Sequence, residues 1–186
     1  MLFAKKPGDE RPRGTLTPQQ MATFSHAVAE YISVQRDRYY SQAAPLIFGN
    51  TWLQFFPAAD LERVRVLQPG QERVPNPPFY PDLKELGFTG LPNFTTMAAI
   101  TFDDVAVFHD PMTPQLIFHE LVHVVQYRLL GIEEFARLYV RGYLHSGYDG
   151  TPLEVCAYQL DGRFIMGSVG FDVEAEVKAW IAERRF

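Results

Sequence analysis

One stretch of the chain is apolar on nearly every side. From Thr113 to Gly131 the sequence reads TPQLIFHELVHVVQYRLLG, in which Leu116, Ile117, Phe118, Leu121, Val122, Val124, Val125, Tyr127, Leu129 and Leu130 leave no polar face. That pattern predicts a helix through the centre of the fold. Thr113 is placed to act as N-cap, Pro114 suits the first helical position with its preset φ, and Gly131 supplies the stop.

The patterning is weaker on either side of this helix. Met21, Phe24, Val28, Tyr31, Ile32 and Gln35 recur near the helical period, predicting a one-sided helix that opens at Thr17–Pro18 and runs to about Gln42. Arg63 to Leu67 alternates, which predicts a half-buried strand. The following PGQERVPNPPFYP is too rich in proline for helix or ladder and reads as a stiff loop. Its Phe79 and Tyr80 either line a groove or, more plainly, pack across the core. Pro81 to Leu86 suggests one helical turn closed by Gly87. Ala98 to Phe102 and Val105 to Phe108 flank Asp103-Asp104, predicting a β-hairpin with Ile100, Phe102, Val105 and Val107 on one face.

Beyond Gly131, a second helix is expected over Ile132 to Arg141, with Phe135, Leu138 and Tyr139 inward and Gly142 as its end. Gly142 to Gly150 then reads as a mobile rim. Thr151-Pro152 repeats the helix-start signal ahead of LEVCAYQLDGRF, and a last helix over Val173 to Arg184 buries Val177, Trp180 and Ile181. Residues 1–16, with little to bury, read as a flexible arm before a single domain over 17–186. The class is α+β, mostly helical, with a small antiparallel sheet ahead of the central helix.

Composition narrows the partners. With one cysteine, Cys156, no intrachain disulfide can form, which suits a reducing cytoplasm. The N-terminus lacks a signal-peptide core, and no run approaches a membrane span. A net charge of −5 with scattered basic residues gives no footprint for nucleic acid.

Chemistry enters with three polar residues inside the apolar helix, His119, Glu120 and His123, in the pattern HExxH. Residues four apart lie on one helix face, so the two imidazoles can reach one cation. Glu120 stands about 100° further round, beside the cation's open position, where a base for water belongs. Buried without partners these groups would be costly, whereas a metal ion satisfies them. A catalytic zinc usually takes three protein ligands, and Glu154, in the first turn of a later helix, is the strongest third candidate. Thr151-x-x-Glu154 would also serve as an ordinary capping box. Other polar residues have plainer roles: His26 as a surface histidine, His109 as a loop histidine partnered by Asp110 or solvent, Asp103 and Asp104 as turn residues, and Cys156 as a small core residue.

HELVH followed by a glutamate on a downstream helix, in PLEVCAY, resembles the gluzincin clan of zinc metallopeptidases. It is more similar still to small bacterial zincin-like proteins that combine a hairpin, an HELxHVxQ helix and a PLExxAY helix. The likeness covers roughly Ala98 to Phe164. It implies a zincin-like fold, Zn2+ held by His119, His123 and Glu154, and Glu120 as general base. In thermolysin-like enzymes an aspartate four residues after the ligand glutamate orients a ligand histidine; here that position is Tyr158. Tyr158 and Asp161 share a helix face with Glu154, so either is placed to serve instead. The expected function is that of a zinc-dependent peptidase, hydrolysing an amide bond of a peptide or protein, with a small amide as the alternative substrate and His145, Tyr143, Tyr148 or Tyr158 as donor to the developing oxyanion. His145 and Tyr158 are the catalytic candidates beside Glu120. The rival expectation is a zincin-like binding module without turnover, which a fourth protein ligand such as His109 or His145 would favour.

Overall fold

The computed structural model describes residues 16–148, 150–167 and 169–183. Apart from Leu16, the expected arm over residues 1–16 lies outside them. Helix α1 (Pro18–Tyr40) starts where Thr17 and Gln20 cap each other, the Thr17 hydroxyl accepting from the Gln20 amide while the Gln20 side chain accepts from Thr17 N–H. Strand β1 (Ala44–Pro45) follows, then helix α2 (Ala58–Arg63) and strand β2 (Arg65–Leu67). The half-buried strand expected over Arg63 to Leu67 thus begins only at Arg65, because the preceding residues turn into α2 behind Pro57, and it is evenly half-buried rather than alternating.

The proline-rich loop leads to helix α3 (Tyr80–Glu85), closed by Gly87 at φ 88°. Strands β3 (Ala99–Phe102) and β4 (Val105–Phe108) form the expected hairpin, with Phe102 opposite Val105 and Ile100 opposite Val107. Asp103, at φ 55°, takes the left-handed position that a tight two-residue turn requires. The sheet order is β1-β2-β4-β3, and β2 runs parallel to β4. The sheet is therefore mixed rather than antiparallel, since the chain between β2 and β4 crosses over through α3 and brings β4 back in the direction of β2. β3 is an edge strand.

Helix α4 (Pro114–Ser146) is the axis of the molecule. Thr113 caps it, its hydroxyl accepting from Leu116 N–H at 3.2 Å. Gly131 does interrupt it, at φ 74° and ψ 161°, but the helix resumes at once and kinks instead of ending. Gly142 does not end it either. It sits inside the helix against the start of helix α5 (Pro152–Ile165), where a Cβ would come within 2.7 Å of Pro152 Cδ. The stretch expected as a rim is thus helical to Ser146, and Gly147, at φ 75°, makes the real stop. Helix α6 (Val173–Ala182), capped by Asp172, completes the fold.

Two apolar clusters flank α4. One packs its Phe118, Leu121, Val122 and Val125 against α2, α5 and α6, with Cys156 and Val177 fully buried in it. The other joins Tyr127, Phe135 and Leu138 to α1 and the hairpin. Among the described residues no helix is long and apolar enough to cross a membrane.

Candidate metal centre

The central helix and α5 bring His119, His123 and Glu154 together in the interior, each less than a tenth exposed. His119 Nε2 and His123 Nε2 are 3.2 Å apart, and Glu154 Oε2 lies 3.3 Å from the first and 3.5 Å from the second. Thr151 does not cap α5 with its side chain; its hydroxyl donates instead to Gly147 C=O at 3.0 Å. The capping-box reading of Glu154 therefore fails, and its carboxylate is turned to the imidazoles.

The outer bonds of the two rings decide what faces inward. Gln126 donates its amide to Leu153 C=O at 3.0 Å, so its oxygen is the atom 2.8 Å from His123 Nδ1. An amide oxygen only accepts, so His123 carries its proton on Nδ1. His119 Nδ1 likewise donates to Asp161 Oδ2 at 2.9 Å. Both Nε2 atoms thus present lone pairs to each other and to a carboxylate oxygen. With both rings neutral, three donor atoms in that arrangement repel unless a proton or a metal cation lies among them, and neutral imidazoles with a carboxylate suit a divalent ion such as zinc.

The electrostatics agree with the geometry. Burial works against a charged His119, but the carboxylates of Asp161, Glu154 and Glu120 outweigh it and raise its pKa to about 10. Burial would raise Glu154 too, yet the two imidazoles hold its carboxyl well below the usual range. Positive charge is thus favoured at the point where the donors meet.

Glu120, 5% exposed, faces the same cavity as the three donors. Its Oε2 accepts from the Thr101 hydroxyl of β3 at 2.7 Å, which fixes the carboxylate and leaves Oε1 for other work. Thr101 was the residue sequence reasoning missed. Its signal was there, as the lone hydroxyl in the hairpin on the face opposite Ile100 and Phe102. Gln126 was missed as well, although it lies one turn beyond His123 on the same helix. Of the two expected second partners it is Asp161 that bonds His119; the Tyr158 ring lies 4.6 Å from the His119 ring, and Tyr158 is not among the cavity-lining residues.

The candidate oxyanion donors separate by position. Tyr143 and Tyr148 line the cavity, and burial raises both phenols, Tyr143 to about 12. The Tyr143 hydroxyl is buried with no hydrogen-bond partner among the described residues. His145 is exposed on the last turn of α4 and is not among the cavity-lining residues. His109 is committed elsewhere, its Nδ1 donating to Met97 C=O at 2.9 Å and its Nε2 accepting from Val74 N–H at 3.1 Å. Its partners are these backbone groups and not Asp110, because the loop folds over the ring. His26 is a surface residue 3.5 Å from Glu133. Phe79 and Tyr80 both pack on neighbouring rings and line the cavity. No protein-family model, curated protein or solved structure matches the chain.

Proposed function

We propose that this protein is a zinc-dependent hydrolase of amide bonds, a small enzyme of the gluzincin type. The observation that carries the reading is the inward convergence of His119 Nε2, His123 Nε2 and Glu154 Oε2, with both Nδ1 protons pinned outward by Asp161 and Gln126. Bound there, zinc would supply Lewis acidity, polarising a carbonyl and making a water easier to deprotonate. The chain's own groups do the rest. Glu120, steadied through Oε2 by Thr101, takes the water's proton as the C–O bond forms. It then returns that proton to the nitrogen as the C–N bond breaks, so amide and water become carboxylic acid and amine, the water's second proton staying with the new carboxyl group. Tyr143 or Tyr148, both of which line the cavity, would donate to the developing oxyanion.

The rival reading, a closed structural site, would need a fourth protein ligand. Its two candidates are otherwise placed, since both ring nitrogens of His109 are bonded to backbone and His145 is exposed. The test is metal content by elemental analysis of the wild type beside Glu120→Gln and Glu154→Ala, with amide cleavage assayed on the same samples. One zinc per chain is expected in the wild type and in Glu120→Gln, cleavage in the wild type alone, and little zinc in Glu154→Ala. A wild type that takes up no zinc on reconstitution would overturn the proposal.

A further inference from the structure

We propose that the site takes a small, uncharged amide bearing one apolar group about the size of a phenyl ring, and not an extended peptide strand. This rests on the amide-hydrolase reading for its chemistry but on separate observations for its substrate.

The donors open into a cavity of about 110 Å³. An apolar cavity of about 150 Å³ holds benzene, so the enclosed part of this smaller one takes at most a single ring or a branched aliphatic group. Its walls are carbon. Phe24 and Val28 of α1, Phe79 and Phe94 of the loop segment, and Tyr139 of α4 close on it from different sides. No lysine or arginine lines it, and Glu120 and Glu154 are its only carboxylates among the described residues. A charged terminus or side chain on the substrate would be desolvated there without a counter-charge.

Most of its nearby hydroxyls are already committed. Tyr31 donates to Pro75 C=O, Tyr80 to Pro92 C=O and Tyr127 to Thr101 C=O. The Tyr143 hydroxyl has no partner among the described residues and is one donor for an acceptor on a neutral ligand.

The same bonds bear on how a peptide would bind. A substrate strand would pair along the free edge of β3. His109 N–H bonds to Ala98 C=O at 2.8 Å, which with the hairpin register turns the backbone groups of Ala99 and Thr101 to that edge. The Thr101 carbonyl, however, is taken by the Tyr127 hydroxyl at 3.3 Å. That interrupts the ladder at the residue nearest Glu120. The opposite wall is fixed as well, because His109 ties down both Val74 and Met97 and Asn76 accepts from Phe94 N–H at 2.8 Å. The enclosed part of the cavity is thus walled by fixed segments, which makes it selective by size.

The test is isothermal titration of the full chain, metal-free and zinc-loaded, with a series of neutral amides. Acetamide, 3-methylbutanamide, 2-phenylacetamide and 2-(1-naphthyl)acetamide grade the apolar group. The 4-carboxy derivative of phenylacetamide tests charge, and N-acetyl-Ala-Phe-Ala-amide tests an extended peptide with the same ring. Affinity is expected to rise about tenfold or more from acetamide to phenylacetamide and to fall again for naphthyl, carboxylate and peptide. Val28→Trp, which fills the cavity from α1, is expected to abolish ring binding while zinc uptake persists. A peptide that binds as tightly as phenylacetamide, or a series flat in size, would overturn the proposal whether or not the variant folds. Zinc uptake and turnover on the same samples keep the two readings apart. Ring-selective binding without zinc or cleavage removes the hydrolase and leaves this assignment, while cleavage with a flat size series does the reverse.

Discussion

At the scale of single residues, the candidate site depends on side chains that never touch the point where the donors converge. Thr101 is one. Its hydroxyl holds Glu120 Oε2 at 2.7 Å, so Thr101→Val keeps the shape of the strand and frees the carboxylate to turn. Turnover is expected to fall about 10- to 100-fold with zinc content unchanged, and Thr101→Ser to recover most of it. Steady-state kinetics beside metal analysis decides the matter, and equal rates in Thr101→Val would remove the positioning role. His109 acts differently, through stability. Burial, aided by Arg73, lowers its pKa below the ordinary 6.5, against the pull of the Met97 carbonyl and Asp110. The folded chain therefore binds fewer protons than the unfolded one below that pH. The stability contributed by neutral His109 is complete above pH 6.5 and is lost as pH falls toward its lowered folded value. His109→Gln should cost about 1–2 kcal/mol near pH 8, by removing two hydrogen bonds, and less near pH 5. Urea unfolding of both proteins at the two pH values measures this, and a difference independent of pH would refute it.

At the scale of elements, the close seat of α5 on α4 sets where Glu154 lies. Gly142 makes that seat possible, since a Cβ there would stand 2.7 Å from Pro152 Cδ and 3.1 Å from Thr151 Cγ2. Gly142→Ala should push the start of α5 outward and carry Glu154, two residues beyond Pro152, away from the histidines. Weaker zinc binding is expected, by about tenfold or more, with helix content by circular dichroism unchanged. Unaltered affinity would show that α5 adjusts without moving its carboxylate. The same glycine marks the limit of what sequence discloses. Thr-Pro at 17–18, 113–114 and 151–152 announced three helix starts, through side-chain caps at Thr17 and Thr113 and through the preset φ of proline in all three, which are local chemistry. Gly131 and Gly142 both read as stops, yet one only kinks the helix and the other lies inside it. What separates them is the packing of Phe135 and Ala136 in one cluster and the approach of Pro152, neither of which is local. The HExxH spacing placed His119, His123 and Glu120 on adjoining faces of one turn, and the helical repeat put Asp161 on the side of Glu154. The parallel β2–β4 pairing joins segments about forty residues apart, and no periodicity in either strand records it.

At the scale of the whole molecule, α4 belongs to both apolar clusters, whereas Glu154 and Asp161 reach the histidines from α5. A cation among the donors would fasten these two helices across the interior, so its binding should appear as global stability. Binding to the folded chain alone stabilises by RT ln(1 + [L]/Kd), about 2.7 kcal/mol at a hundred times Kd. For a domain of this size each kcal/mol shifts the melting temperature by roughly 2–4 °C, so chelation should lower it by about 5–10 °C. Glu154→Gln removes a charged donor and should melt nearly alike with zinc and with chelator. Glu120→Gln is the informative control, because its carboxylate is bonded to Thr101 and is not one of the three donors; its chelation shift should match the wild type. Scanning calorimetry at fixed free zinc and in chelator separates the cases. If Glu120→Gln loses the shift, Glu120 is itself a ligand and the proposed base is misassigned. A wild type indifferent to chelation would leave the inward lone pairs needing a proton instead of a metal, and the hydrolase would lose its chemistry.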